Sequence, residues 1–68
     1  MNEEQFNMNI RRYLKKVGIT SQREIENAVR DAVTNGKLTG NETLAINVRL
    51  EIGDLDLAVT IDGDIALE

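Results

Sequence analysis

The amino-acid sequence predicts an α+β fold, a two-layer sandwich in which a helical hairpin packs on a three-stranded antiparallel meander. Apolar residues recur at helical spacing before residue 40 and at every second position from residue 44. Glycines at positions 18, 53 and 63 divide each half into shorter elements. A chain of 68 residues allows one domain at most, and we expect residues 1–68 to form it.

The first helix is predicted at about residues 3–17. Asn2 is a suitable N-cap, with Gln5 three residues later as in a capping box. Gly18 is expected just beyond the helix, in the left-handed conformation that glycine adopts easily. The apolar face follows the spacing i, i+4, i+7, i+8 and i+11 and consists of Phe6, Ile10, Tyr13, Leu14 and Val17.

A second helix is predicted at about residues 21–35. Ser21 and Glu24 have the spacing of a capping box, with Thr20 as a competing cap. Asn35 and Gly36 form a typical helix exit. The predicted inward face consists of Ile25, Ala28, Val29, Ala32 and Val33.

The short connection between these predicted helices is compatible with a helix-turn-helix, which reads DNA through its second helix. The spacing argues against it, because Glu24 occupies the position where the motif carries an apolar residue, and Ile25 comes one residue late. The acidic residues of the second helix would also face phosphates. We therefore do not expect this protein to read DNA through that helix.

Three strands are predicted at about residues 43–52, 55–61 and 64–68, with the second strand central. Gly53-Asp54 has the composition of a two-residue type II′ turn, which would pair Ile52 with Leu55. For the second connection we prefer a three-residue loop at residues 61–63. A two-residue Asp-Gly loop would instead place Ile65 and Leu67 on the polar face.

The composition excludes several kinds of chemistry. The chain has no Cys and no His, so thiolate and imidazole ligands are absent, as is the commonest general base. The aspartates near the predicted turns lack the spacing of an EF-hand, and residues 36–40 lack the spacing of a phosphate-binding loop. We expect no catalytic residue, no cofactor and no metal site.

Charge is distributed unevenly around a net charge of −4. Residues 1–40 carry seven basic and five acidic side chains, a net charge of +2, and residues 41–68 carry one basic and seven acidic, a net charge of −6. The candidate binding patch is the basic run of Arg11, Arg12, Lys15 and Lys16. These cations either lie near a helix C-terminus, where they are solvated or neutralised by the acidic second half of the chain, or bind phosphate, nucleic acid or an acidic partner.

The function that these observations favour is a small non-catalytic interaction module, homodimeric through the edge strand at residues 43–52, because an exposed strand edge is a template for pairing. The alternative is binding of nucleic acid, phosphate or an acidic protein through the basic run, although an acidic chain is a poor candidate for nucleic acid. No segment has the length of a membrane span or the pattern of a signal peptide, so we expect a cytoplasmic protein without membrane contact.

Three stretches also carry a family resemblance. They are MNEEQFNMNIRRYLKKVGITSQREIENAV, GKLTGNETL and DGDIALE, which together cover nearly the whole chain. The chain resembles a family of very short uncharacterised bacterial proteins. The resemblance implies a bacterial cytoplasmic origin, and since that family has no assigned activity, it assigns no functional residue.

Overall fold

The computed structural model describes all of residues 1–68 and consists of two compact units, Met1–Lys37 and Leu38–Glu68. The first unit contains one helix, α1 (Glu3–Thr34), and the second contains a hairpin of two strands, β1 (Thr43–Ile52) and β2 (Leu57–Ala66). The chain is therefore α+β. The predicted helical hairpin on a three-stranded meander is wrong.

The two predicted helices, 3–17 and 21–35, are one continuous helix of 32 residues. Gly18 lies inside it with ordinary helical backbone rather than at its end, and Ser21 lies in its interior instead of capping a new helix. A single glycine costs a helix only about 1 kcal/mol, and no proline is present to force a break. The continuous helix contains no turn, so the chain has no helix-turn-helix.

The N-terminus of α1 confirms the predicted cap. Asn2 is extended, and its side-chain Oδ1 accepts a hydrogen bond from the backbone N–H of Gln5 at 3.0 Å. Glu3 and Glu4 occupy the first turn, where negative charge complements the positive end of the helix dipole.

The C-terminus of α1 also ends where the sequence predicts, at Asn35 and Gly36. Gly36 has φ of 80°, and its N–H donates to the carbonyl of Val33 at 3.2 Å. The N–H of Lys37 donates to the carbonyl of Ala32 at 2.8 Å. This pair of bonds is a Schellman motif, which satisfies the last carbonyls of the helix and requires a left-handed residue at position 36.

The hairpin pairs two strands of ten residues each. The predicted bounds of the first strand, 43–52, are correct, but the strands predicted at 55–61 and 64–68 form one strand, β2. The register places Ile52 opposite Leu57 and Leu50 opposite Val59, two residues beyond the predicted pairing with Leu55. A shift of two keeps every side chain on its predicted face.

The connection between the strands is longer than the predicted type II′ turn. Residues 53–56 form the loop, with a short 3₁₀ turn at Gly53–Leu55 followed by Asp56 in the left-handed conformation, φ 51°. The N–H of Asp56 donates to the carbonyl of Gly53 at 3.2 Å. Aspartate tolerates this conformation better than most residues do, so the loop closes without glycine at that position.

No second turn exists at residues 61–63. Asp62 lies opposite Asn47 and Gly63 lies opposite Ile46, in the middle of the ladder. This arrangement pairs all ten residues of β1, including Leu44 with Ile65, whereas the predicted meander would have left the start of β1 unpaired. The completed ladder outweighs the local turn preference of Asp-Gly.

Neither unit contains a buried residue. Apolar side chains of α1 and of the hairpin are half-buried or exposed, among them Phe6 at 46%, Leu14 at 54% and Val48 at 41%. Burial of apolar side chains is the main source of folding free energy. These exposed apolar side chains are therefore candidate surfaces for contact with another molecule.

Candidate interaction surfaces

The basic run lies in the middle of α1. Arg11, Arg12, Lys15 and Lys16 are all exposed, and the helix continues for 18 residues beyond Lys16 to Thr34. The interpretation that these cations stabilise a helix C-terminus is therefore wrong, and the last turn of α1 contains no basic residue. The like charges at spacing i, i+4 are not offset by the helix dipole.

Within the helix unit, no ion pair neutralises these four cations. The two salt bridges join Arg30 to Glu26 at 2.9 Å and Arg49 to Glu51, both between exposed side chains. Successive residues are 100° apart around the helix, so the four cations cover an arc of about 140°. This arc lies on the side of α1 opposite Phe6, Ile10 and Leu14. The structure thus brings the predicted patch together on one exposed face of α1.

The apolar stripe of α1 runs along the whole helix, which the sequence-based division into two helices obscured. We call it the α1 seam and define it by eight residues with the repeating spacing 4, 4, 3: Phe6, Ile10, Leu14, Val17, Ser21, Ile25, Ala28 and Ala32. This 11-residue repeat corresponds to 3.67 residues per turn, close to the α-helical value, so the stripe stays on one face over all 32 residues. The signal was visible in the sequence as the step from Val17 through Ser21 to Ile25.

The hairpin presents a second apolar surface. On one face, Leu44, Ile46, Val48, Leu50 and Ile52 of β1 lie opposite Ile65, Gly63, Ile61, Val59 and Leu57 of β2. Because the sheet has only two strands, the outer edge of each strand carries backbone N–H and C=O groups without a strand partner. The edge predicted at residues 43–52 is therefore present as an unpaired edge of β1.

The loop before β1 is closed by a carboxylate that the sequence analysis did not single out. Oxygens of Glu42 accept hydrogen bonds from the backbone N–H groups of Thr39 and Gly40, each at 2.9 Å. These bonds, chiefly the one from Thr39, lower the pKa of Glu42, while desolvation opposes them. The backbone amides of Thr39 and Gly40 are thus occupied by a carboxylate of the chain itself.

Three depressions on these surfaces are open rather than enclosed. Two lie along α1, at residues 13–21 and 19–30, and one lies across the hairpin, at residues 45–47 and 62–64. No three acidic side chains approach closely enough to hold a metal ion. Asp54 and Asp56 in the loop between the strands, and Asp62 and Asp64 in β2, are all exposed.

Comparisons with known proteins complete the description. No helix combines the length and the hydrophobicity needed to cross a membrane. The expected cytoplasmic location stays a prediction. Searches among curated proteins and among solved structures find no match. The sequence does match one family over all of residues 1–68, as the resemblance in the sequence suggested: the chain belongs to DUF6494, a family of unknown function.

Proposed function

We propose that the chain is a small non-catalytic interaction module that pairs with a second copy of itself through the free edge of β1. The observation that carries the proposal is a ten-residue strand with one unpaired edge in a sheet of only two strands. A two-stranded hairpin is marginally stable in water, and three or more strands with an apolar face are normally needed. Pairing of two β1 strands would give a four-stranded sheet.

Charge favours β1 over β2 as the pairing edge. β2 carries Asp62 and Asp64 on its polar face, and like charges opposite each other in an antiparallel pair are destabilising. β1 carries Arg49 and Glu51, which form an ion pair and contribute no net charge. Two β1 strands can therefore approach each other with less electrostatic repulsion than two β2 strands.

The spacing of β1 also fits a symmetric pair. An antiparallel pairing centred on Val48 places Leu44 opposite Ile52, and Ile46 opposite Leu50, of the second copy. All five apolar residues of β1 then stay on the same side of the sheet. Val48, which is 41% exposed, would face its own counterpart at the centre.

The substitution Val48→Lys tests this proposal, with Ile61→Lys as its matched control. Val48 and Ile61 lie directly opposite each other in the hairpin and share one face, so both variants place a lysine on the same surface. In the proposed pair, only Val48→Lys sets two lysines against each other across the two-fold axis. We expect Val48→Lys to weaken self-association at least tenfold in sedimentation equilibrium and Ile61→Lys to change it by less than threefold, estimates based on typical cross-strand pair energies.

Isotope-filtered NMR on a mixture of labelled and unlabelled chains gives a direct readout. We expect contacts between Hα atoms of β1 residues in the two chains. A chain that stays at 7.6 kDa at millimolar concentration would contradict the proposal. Equal effects of the two lysine variants would also contradict it, because they would assign pairing to a surface other than the β1 edge.

A second candidate function is binding of an acidic partner through the basic run. It is favoured by one observation, the four exposed cations in mid-helix that no carboxylate of α1 neutralises. The chain has eight cations, so two variants of equal charge can be compared. One replaces Arg11, Arg12, Lys15 and Lys16 with Gln, and the other replaces Arg23, Arg30, Lys37 and Arg49 with Gln.

Titration with a mixed-sequence oligonucleotide and with a polyglutamate peptide at two salt concentrations tests this candidate. We expect salt-sensitive binding of at least one probe that only the first variant loses. Equal loss in both variants would show that overall charge, rather than the basic run, causes the binding. Absence of binding at low salt would remove this candidate.

A further inference from the structure

We infer that α1 is itself a self-association surface, on which two copies pack antiparallel along the α1 seam. This inference goes beyond the β1 edge, because it concerns the other unit and different residues. It depends on three observations: the distribution of large and small residues along the seam, the distribution of charge along the helix, and the exposure of the seam residues.

Size along the seam changes from one end to the other. Its first half carries bulky side chains at positions 6, 10, 14 and 17, and its second half carries Ser or Ala at three of four positions. In an antiparallel pair whose facing positions sum to 38, Phe6 faces Ala32 and Ile10 faces Ala28 of the partner copy. Large residues then fill the space that small ones leave, as close packing requires.

The same register holds over the whole seam. Val17 faces Ser21, and their residue numbers again sum to 38. Leu14 faces Ile25, whose residue numbers sum to 39, which is a displacement of one residue. Facing seam positions therefore stay within one residue of each other from one end of α1 to the other. A parallel pair would instead place Phe6 against Phe6 and Ala32 against Ala32, with crowding at one end and a gap at the other.

Charge favours the same orientation. Residues 3–18 of α1 carry four basic and two acidic side chains, a net charge of +2, and residues 19–34 carry two basic and three acidic, a net charge of −1. In the antiparallel register, the positive half of each helix lies alongside the negative half of its partner, although the basic run itself faces away from the α1 seam. A parallel pair would instead place the two positive halves side by side.

The α1 seam is long and exposed enough to supply such an interface. It extends from residue 6 to residue 32, about 39 Å at 1.5 Å per residue. Phe6, Ile10 and Leu14 remain 46%, 39% and 54% exposed. No seam residue is buried, so all eight can lose further surface in a pair.

A swap of large and small residues tests the facing positions. Ile10→Ala leaves a cavity against Ala28 of the partner, and Ala28→Ile crowds Ile10 of the partner. We expect each single variant to weaken self-association about tenfold, and the double variant Ile10→Ala/Ala28→Ile to return to within about threefold of the original chain. Additive weakening in the double variant would overturn the register.

A distance measurement tests the orientation and does not depend on affinity. The chain has no cysteine, so a nitroxide label attached through Glu4→Cys is the only label present. Residue 4 faces residue 34 in the antiparallel register, which places the two labels about 45 Å apart at 1.5 Å per residue. Pulsed electron paramagnetic resonance should give that distance. A distance below about 20 Å, as in a parallel pair of adjacent helices, would overturn the inference, as would the absence of any interchain distance at millimolar concentration.

The variants distinguish the β1 edge from the α1 seam, because each set of substitutions changes only one of the two surfaces. Loss of pairing in Val48→Lys together with normal pairing in both swap singles would support the β1 edge and overturn the α1 seam. The reverse pattern would support the α1 seam and overturn the β1 edge. Sensitivity to both sets of variants, with rescue by the double swap, would support both surfaces.

Discussion

The helix unit and the hairpin unit are both incomplete, but in different ways. The 32-residue α1 satisfies its interior backbone hydrogen bonds by itself, and both of its ends are capped, by Asn2 and by the Schellman motif at Gly36. What it leaves exposed is apolar surface. The hairpin leaves apolar surface exposed as well, and in addition the backbone groups of two strand edges.

This difference determines what kind of partner each unit accepts. A helix with satisfied backbone is completed by side-chain packing, in which size and charge select the orientation. A strand edge is completed by another backbone, in which hydrogen-bond register selects the pairing. The two proposals, the α1 seam and the β1 edge, follow from these two kinds of incompleteness.

The largest expected effect concerns two glycines of the helix unit. Neither Gly18 nor Gly36 has an atom within 4 Å of the position that a Cβ would occupy, so alanine at either site changes only the backbone preference. Gly36 has φ of 80°, and Gly36→Ala should lower the free energy of unfolding by about 1–2 kcal/mol. Gly18 is helical, and Gly18→Ala should raise it by about 1 kcal/mol.

Urea unfolding at one fixed protein concentration measures both variants, because self-association makes stability depend on concentration. The two glycines serve as controls for each other. If Gly18→Ala destabilised the protein as much as Gly36→Ala does, Gly18 would be a left-handed residue at a helix end, as the sequence first indicated.

A smaller effect is expected at Gly63 in the hairpin unit. Gly63 is extended in β2, and a Cβ there would lie 3.7 Å from Cγ2 of Ile46, an ordinary van der Waals distance. Gly63→Ala should therefore stabilise the protein by about 0.5 kcal/mol, because alanine restricts the unfolded chain. If residue 63 were instead the left-handed residue of a turn, the same substitution would destabilise the protein. Thermal unfolding followed by circular dichroism distinguishes the two signs.

The smallest effect is expected at Glu42, in the loop that leads into β1. Folding lowers the pKa of Glu42, so its ionised form stabilises the folded state. This stabilisation is fully present when the pH is above the pKa that Glu42 has in the unfolded chain. It is lost as the pH falls through the lower pKa that Glu42 has in the folded state. Glu42→Gln should therefore differ from the original chain at pH 7 and converge with it below about pH 4, near the ordinary pKa of glutamate. A difference in stability that does not depend on pH would show that the carboxylate charge is not involved.

Local signals in the sequence located the ends of the elements well. Asn2, Asn35 and Gly36 mark the ends of α1, and the alternation of residues 43–52 gives the bounds of β1. These features depend on the chemistry of a few neighbouring residues, such as a side-chain acceptor or a residue that tolerates positive φ. They can therefore be read without knowledge of the rest of the chain.

The interiors of the elements were misread, because a local signal for a turn competes there with the rest of a helix or ladder. Gly18 followed by Ser21 resembles a helix end and a new start, but the apolar repeat continues through them, and so does the helix. Asp62-Gly63 resembles a hairpin turn, but ten paired residues hold it in a strand. The basic run was located correctly, while its interpretation as a helix C-terminus failed together with the predicted break.

The α1 seam exists only if the helix is unbroken through residues 17–21. Backbone NMR of the isotope-labelled chain tests this point directly. We predict helical ¹³Cα shifts at each of these residues and NOEs between residues i and i+3 that span Gly18. A positive φ at Gly18, measured from its scalar couplings, together with missing NOEs between residues 15 and 18 and between 17 and 20, would contradict the account.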